Sequence, residues 1–225
     1  GHCMGATVWF LTSNRGKLDE AAHHFSEVGM EVRALSVDSD VLVEPQAEDL
    51  ETVARAKIEQ ALEHLPEGET TVMVEDAGLF IDALGGFPGV YSSYVHDTIG
   101  NLGIVRLLHH LTSEDPVRAK RLRAASFQAV AALWDGHQLI LGKGVCRGSI
   151  ASDVQGENGF GYDPIFIPAD LDEDGASLDP ETLGVVSTHG RTFGSVDVSE
   201  KHLFSHRRRA IEDLVRQMPQ LNPGE

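Results

Sequence analysis

The N-terminal third of the chain alternates between short apolar runs and amphipathic helical patterns, and this alternation limits the fold more strongly than any other feature. Thr7 to Leu11 is typical of a buried strand, and Glu31 to Val37 and Thr70 to Val74 are predicted to be the next two strands. Leu50 to Leu62 is predicted to be an amphipathic helix. Strands that alternate with helices predict an α/β domain. A further helix is predicted after the first strand from apolar residues at helical spacing, namely Leu18, Ala21, Ala22, Phe25 and Val28.

The middle of the chain changes to longer strands. Ile99 to Leu111 is predicted to be a helix, and Ala124 to Trp134 and Gln138 to Ile150 are predicted to be two strands joined by a hairpin at Asp135-Gly136. We therefore expect an elongated mixed β-sheet flanked by helices, with a central cleft between two lobes. A last helix is predicted from apolar residues on one side, namely Leu203, Ala210, Ile211, Leu214, Val215 and Met218.

Two segments are set apart from this single domain, which we place at residues 5–217. Ala169 to Gly190 is rich in Asp, Glu, Gly, Ser and Thr and has no clear periodicity, so we expect a surface insertion with few contacts to the rest of the chain. The opening Gly1-His2-Cys3-Met4 has the character of an expression scar, and residues 1–3 are left out of the fold prediction.

Composition excludes several classes of partner. Acidic residues outnumber basic residues 35 to 18, and the resulting net charge of −17 disfavours binding to nucleic acid or to anionic membranes. This acidity is compatible with simple solubility or with a salt-adapted host. The two cysteines, Cys3 and Cys146, form neither a disulfide framework nor a zinc pattern, so we expect a reducing, cytoplasmic compartment.

The turn after the first strand is a candidate anion site. Such a junction directs backbone N–H groups and the positive helix end at a bound anion, and Lys17 adds a full charge. Walker A spacing is absent, and an ordinary strand-to-helix turn is the alternative. The segment comprises Thr12, Ser13, Asn14, Arg15, Gly16 and Lys17.

A pair of carboxylates follows the third predicted strand. Glu75 and Asp76 could hold Mg²⁺ and orient or deprotonate a water molecule, although the sequence is also compatible with a polar turn. Glu44, Glu48 and Asp49 lie before the second helix and could supply a further ligand.

Two later segments suggest a site for a flat ligand. Gly156 to Pro164 combines three glycines with two aromatic residues, so Phe160 could stack on a base and Asp163 could accept a hydrogen bond from a ring N–H. A glycine-rich turn with a core aromatic is the alternative. Glu200 to Arg209 carries four Lys and Arg cations in an acidic chain, and a solvated basic helix face would also explain them.

Together, these segments resemble the inosine triphosphate pyrophosphatase family, also called the XTP/dITP diphosphatases. The resemblance extends from about Val8 to Leu214, and its strongest parts are TSNRGKLDEA, VEDAGLFIDALGGFPGVYSSYV, GENGFGYDPIF and SEKHLFSHRRRA. It implies a central nucleotide-binding cleft, Mg²⁺ as cofactor and a homodimer. It also implies hydrolysis of ITP, dITP and XTP to the monophosphate and pyrophosphate. A pyrophosphatase for pyrimidine or other modified nucleotides, and a non-catalytic nucleotide-binding module, are the alternatives.

The resemblance also implies roles for single residues. Asp76 would ligate Mg²⁺ and act as general base, Glu44 would be a second metal ligand, and Lys57 would bind the triphosphate together with the turn at Thr12 to Lys17. Phe160 would stack on the purine. The other residues implied to contact the substrate are Ala77, Gly161, Tyr162, Asp163, Lys201, Ser205, His206 and Arg207, and donors such as Arg207 would select a 6-oxygen over an amine. The chain departs from the usual family pattern at Ser13, Ala77 and His202.

Overall fold

A computed structural model describes residues 7–218, so the interpretation of Gly1 to Met4 lies outside the described residues. Six strands form one sheet in the order β2-β1-β3-β4-β5-β6. Strand β1 is parallel to β2 and β3, whereas β5 and β6 are antiparallel, so the predicted mixed sheet is confirmed. The strands are β1 Thr7–Phe10, β2 Glu31–Ala34, β3 Val72–Ile81, β4 Ala124–Trp134, β5 Leu139–Ile150 and β6 Phe166–Pro168.

Seven α-helices occur among the described residues. The first two begin at capping side chains, since Asn14 accepts a hydrogen bond from the Lys17 N–H and Asp49 accepts one from the Thr52 N–H. Among the helices of residues 7–218, none combines the length and the apolar character that a membrane span requires. The helices are α1 Arg15–Ser26, α2 Leu50–Leu62, α3 Ser92–Thr98, α4 Gly100–Leu107, α5 Pro116–Leu122, α6 Val198–His202 and α7 His206–Arg216.

The chain divides into two compact units, and each unit has its own apolar core. Among the described residues, the first unit comprises residues 7–77, 129–144 and 207–218, whereas residues 78–128 and 145–206 form the second unit. Strands β3, β4 and β5 each contribute residues to both units. The first core includes Val8, Phe10, Phe25, Met73 and Leu214. The second core is built mainly from aromatic and branched side chains, including Leu79, Phe127, Phe166, Phe193 and Phe204.

The third strand is longer than predicted. The prediction of Thr70 to Val74 ended it before the carboxylate pair, but β3 continues through Glu75 and Asp76 to Ile81. Adjacent carboxylates normally favour a strand end or turn. Here a lysine lies against each carboxylate, and the apolar Leu79 and Ile81 are buried in the second core. Tertiary partners therefore override the local preference.

Two helix predictions were also wrong at their boundaries. The predicted helix from Ile99 to Leu111 begins at Gly100 and ends at Leu107. Gly100 adopts a φ of 67°, which separates this helix from α3. Leu203 was assigned to the last helix, but it lies between α6 and α7 and is exposed, so it does not belong to the apolar side of α7.

The segment from 169 to 190 makes more contacts than expected. Leu171 is buried within the second core and forms bridges with Ser177 and Val186. The guanidinium of Arg121 in α5 also pairs with carboxylates of the segment, at 3.0 Å from Asp179. The expectation of few contacts is therefore wrong at Leu171, because an apolar side chain hidden within an acidic run still contributes to the core.

Arg123 is a buried structural cross-link in the second unit. Its guanidinium donates hydrogen bonds to the carbonyl oxygens of Leu108 (2.7 Å), Leu111 (3.3 Å), Ile150 (2.8 Å) and Ala151 (2.8 Å). Burial lowers the pKa of Arg123. The fork of N–H donors thus satisfies four carbonyl groups from separate segments of the chain.

Arg123→Leu is expected to lower the free energy of unfolding by at least about 3 kcal/mol, because it leaves several buried carbonyl groups without donors. Urea denaturation of the purified protein measures the change. Arg118→Leu is the matched control, because Arg118 is exposed on α5. Equal stability of the two variants would contradict the cross-linking role.

Candidate active site

The turn after β1 presents the N-terminus of α1. Thr12 Oγ1 accepts a hydrogen bond from the Asn14 N–H at 3.1 Å, and Asn14 caps the helix. Ser13, Arg15 and Gly16 are exposed. The first turn of α1 carries no acidic side chain, so the positive end of this 12-residue helix is not neutralised locally. The turn thus presents the positive end of α1, and its binding of an anion stays a prediction.

Glu75 is a buried carboxylate with two cationic neighbours. Its Oε2 lies 3.2 Å from Lys17 Nζ and 3.4 Å from Arg207 Nε. Burial would raise the pKa of Glu75, but the charges of Lys17 and Arg207 outweigh burial and hold the pKa below its usual value. Within residues 7–218, Glu75 Oε1 is buried without a hydrogen-bond partner. Glu75 is therefore an ionised group that holds Lys17 and Arg207 together.

Asp76 has a different set of partners. Its Oδ1 accepts a hydrogen bond from Lys57 Nζ at 3.1 Å, and Glu44 Oε1 lies 3.8 Å from the same nitrogen. Burial raises the pKa of Asp76 despite the opposing charge of Lys57. Successive side chains of a strand point to opposite faces, which agrees with the separate partners of Glu75 and Asp76. The closest ionic partners of the two carboxylates therefore differ.

The Asp76 and Glu44 oxygens fit a hard cation. Both approach the ammonium group of Lys57, so they converge on a position that is favourable for positive charge. No group of three or more His, Cys, Asp or Glu side chains in the described part of the chain could hold a metal ion. Mg²⁺ commonly binds through one or two carboxylates together with water and substrate phosphates. The donor set therefore fits Mg²⁺ bound together with a phosphate substrate.

The glycine-rich segment in the second unit is organised around Asp163. This buried carboxylate accepts hydrogen bonds through Oδ2 from the Phe160 N–H at 3.0 Å and from Lys201 Nζ at 2.6 Å. A side chain at Gly159 would collide with the Asp163 carboxylate, so this position requires glycine. Lys201 Nζ also lies 4.7 Å from the centroid of the Phe160 ring. Phe160 is half exposed, which leaves ring surface accessible for stacking.

Tyr162 anchors the same segment to the second core. Its hydroxyl donates to the backbone carbonyl of Ser92 at 2.5 Å, and burial raises its pKa. Gly161, which precedes it, adopts a φ of 60°. The structure thus gives Tyr162 a supporting position, whereas its implied contact with substrate stays a prediction.

Ser205, His206 and Arg207 lie where α6 gives way to α7. Ser205 and His206 are buried, and the His206 ring stacks on Phe127 with centroids 5.0 Å apart. Arg207 lies beside Glu75, as described above, and Ala77 packs partly against the first core. Their implied contacts with the base, and that of Ala77 with substrate, stay predictions.

Sequence reasoning did not single out Ser92. Its hydroxyl accepts a hydrogen bond from the Leu79 N–H at 2.8 Å and donates to the Gly89 carbonyl at 2.6 Å, while its own carbonyl accepts from Tyr162. Its presence in the segment VEDAGLFIDALGGFPGVYSSYV was the available signal. A small serine there joins β3 to the segment that carries Phe160.

The α/β architecture of this chain is similar to that of solved structures of other proteins. The chain resembles a HAM1 protein from Coxiella burnetii with a TM-score of 0.69 and 26% identity, over 94% of this chain and 97% of that chain. It also resembles a nucleoside-triphosphatase, dITP/XTP pyrophosphatase, from Mycobacterium abscessus, with a TM-score of 0.63 and 29% identity over 95% and 99% of the two chains.

Sequence comparison assigns the family. Residues 8–217 match the model of the Ham1 family. The dITP/XTP pyrophosphatase of Thermococcus kodakarensis is 37% identical over 206 residues, which cover 92% of this chain and 94% of the relative. That of Methanopyrus kandleri is 38% identical over 206 residues, covering 91% and 92%. The chain belongs to the Ham1 family.

Proposed function

We propose that this chain is a nucleoside triphosphate pyrophosphatase that hydrolyses dITP, XTP and ITP to the monophosphate and pyrophosphate. The proposal depends on one observation above all. Carboxylate oxygens of Asp76 and Glu44 lie 3.1 Å and 3.8 Å, respectively, from Lys57 Nζ, in the unit that also presents the N-terminus of α1. The names of the relatives from Thermococcus kodakarensis and Methanopyrus kandleri support the substrate class.

The proposed reaction is attack of water on the α-phosphorus. Asp76 takes a proton from the water, the water oxygen bonds to phosphorus, and the bond to the leaving pyrophosphate breaks. Burial raises the pKa of Asp76, and this favours the role because a carboxylate with a raised pKa is a stronger base and removes a proton more readily. Lys57 keeps Asp76 oriented through their 3.1 Å hydrogen bond.

Triphosphate binding is assigned to the first unit. The N–H groups at the start of α1 and the Lys17 ammonium would neutralise charge that grows on the phosphoryl oxygens. When bound, Mg²⁺ would neutralise phosphate charge and polarise the phosphoryl group, and Asp76 and Glu44 are its proposed ligands.

Stacking on the base is proposed for Phe160 and hydrogen bonding to it for Lys201, both in the second unit, and a donor role is proposed independently for Arg207 in the first unit. The half-exposed Phe160 ring offers a stacking surface, and Lys201 stands beside it as a hydrogen-bond donor. Donors of this kind would pair with the 6-oxygen of inosine or xanthosine and be left unpaired opposite the amine of adenine. A site built on such donors discriminates more strongly than one built on shape.

Pyrophosphate release tests this function. The purified protein is incubated separately with ITP, XTP, ATP and dTTP, with Mg²⁺ and again with EDTA. We expect Mg²⁺-dependent release from ITP and XTP and much slower release from ATP and dTTP. Preferred turnover of dTTP would indicate a pyrimidine enzyme, and binding of ITP without turnover would indicate a non-catalytic module.

Lys17→Ala is expected to lower kcat/KM for ITP by roughly 10- to 100-fold, because hydrogen bonds to charged groups contribute about 1.5–3 kcal/mol. Steady-state pyrophosphate release measures the effect. Arg55→Ala is the matched control, because Arg55 is exposed on α2 and pairs with Glu51. Wild-type kinetics in the Lys17 variant would mean that the turn after β1 does not bind phosphate.

We also propose a cytoplasmic homodimer. Helices α3 and α4 expose large apolar side chains, including Tyr94 at 69% and Leu102 at 60%, and such surfaces often mark protein contacts. Light scattering after size-exclusion chromatography would give the mass, and Leu102→Glu is expected to shift a dimer towards monomer. A monomeric wild-type protein would contradict the proposal. Cell fractionation would test the location.

A further inference from the structure

We propose that His96 and Asn101 are positioning residues that fix the segment Gly159 to Asp163, here called the base loop, and thereby set the affinity for the purine base. The inference rests on the proposed stacking role of Phe160. Neither residue belongs to the group of lysines and carboxylates described above, so the expected effect is on base recognition rather than on phosphate chemistry.

Both side chains bind one backbone atom of the base loop. Asn101 Nδ2 donates to the Gly161 carbonyl oxygen at 3.0 Å, and His96 Nε2 lies 3.1 Å from the same oxygen. Because a carbonyl oxygen only accepts, His96 must carry a hydrogen on Nε2. Two donors from α3 and α4 therefore converge on the residue that follows Phe160.

Gly161 needs such external support. It adopts a φ of 60°, and no atom lies within 4 Å of the position that a Cβ would occupy. Neither a side chain nor close packing at that position therefore holds its backbone in place. On its other side, Phe160 is held through its N–H by Asp163. The hydrogen bonds from His96 and Asn101 thus constrain the backbone directly after Phe160, in addition to the anchor that Tyr162 provides.

The two donors are themselves well placed. The His96 ring contacts the Tyr162 ring edge to face, with centroids 5.1 Å apart. Val95 and Ile104 anchor α3 and α4 in the second core. Asn101 Oδ1 is buried and has no hydrogen-bond partner within residues 7–218. This unmet acceptor costs stability, so Asn101 is better explained by its Nδ2 donor to Gly161 than by packing.

The test compares substitutions that remove or keep a donor. Asn101→Leu is similar in size and removes the hydrogen bond to Gly161 together with the buried Oδ1 acceptor that has no partner within residues 7–218. His96→Phe keeps an aromatic ring beside Tyr162 but loses the donor, whereas His96→Gln retains an amide donor. We expect Asn101→Leu and His96→Phe each to raise KM for ITP by about 3- to 10-fold with kcat nearly unchanged. His96→Gln should restore a KM close to that of the wild type. Thermal melts of all the variants show whether they fold.

A double-mutant cycle with Phe160→Ala separates this inference from the role of Phe160 itself. If Asn101 acts by positioning Phe160, Asn101→Leu should change KM little once the ring is absent. Equal fold-changes in both backgrounds would overturn the inference while leaving the stacking role intact, as would an unchanged KM in Asn101→Leu alone. If Phe160→Ala leaves KM for ITP unchanged, the proposed stacking role of Phe160 is contradicted, and the inference about His96 and Asn101 is overturned with it. Asn101→Leu removes a buried acceptor that has no partner among the described residues, so we expect this variant to fold. The test therefore stays valid even if His96→Phe does not fold.

Discussion

Asp76→Asn is expected to lower kcat for ITP hydrolysis by about 10²- to 10⁴-fold, the range typical of a lost general base. The amide keeps the shape of the carboxylate but can neither accept the proton from water nor contribute a negative charge to Mg²⁺ binding. The hydrogen bond with Lys57 is weakened for the same reason. Pyrophosphate release at saturating ITP and Mg²⁺ measures the effect.

Asp76→Asn is expected to leave the free energy of unfolding unchanged or to raise it, although kcat falls. Burial raises the pKa of Asp76, so its charged form is disfavoured by the fold and a neutral amide should be tolerated. Asp82→Asn is the matched control, because Asp82 is exposed directly after β3. A kcat within roughly threefold of wild type would rule out Asp76 as the base, because a substitution at an ordinary surface position has an effect of about that size.

Arg207→Ala is expected to narrow the preference for ITP over ATP by roughly 10- to 100-fold, measured as the ratio of the two kcat/KM values. The physical reason is the loss of a charged donor that is proposed to pair with the 6-oxygen of the base. Turnover of ITP should fall steeply, whereas turnover of ATP should fall much less.

Lys17→Ala is the comparison variant for the change in nucleotide preference that is expected of Arg207→Ala. Lys17 and Arg207 both lie beside Glu75, so either substitution removes one of its cationic neighbours. Only Arg207 is proposed to contact the base, so Lys17→Ala should lower kcat/KM for ITP and ATP to a similar extent. Equal losses for both nucleotides in Arg207→Ala would assign Arg207 to phosphate binding or to the Glu75 cluster, and not to the base.

Local patterns in the sequence predicted most of the early elements. Strand β1 and helix α1 were predicted because an apolar run is followed by residues at helical spacing, and Asn14 caps the helix where the turn was expected. Leu50 to Leu62 was predicted with the bounds that α2 has, and the Asp135-Gly136 turn joins β4 to β5. Each of these features depends on residues close together in the chain.

Predictions were wrong where distant residues decide the outcome. Local pattern ended β3 before Glu75, but pairing with Lys17 and burial of Ile81 extend it. Leu171 was assigned to a solvated insertion, yet it packs in the second core. Leu171 lies within an acidic run, and the carboxylate pair interrupts the apolar residues on either side of it, so local pattern did not show which side chains find apolar or charged partners.

The sequence by itself determined which residues could carry the chemistry, because acids, lysines and glycines in these patterns limit what the chain can bind. Only the tertiary structure decided their partners. It separated Glu75, which stays ionised between Lys17 and Arg207, from Asp76, whose pKa is raised by burial. Charge–charge energies and desolvation depend on distances between groups far apart in sequence, and a linear pattern does not contain those distances.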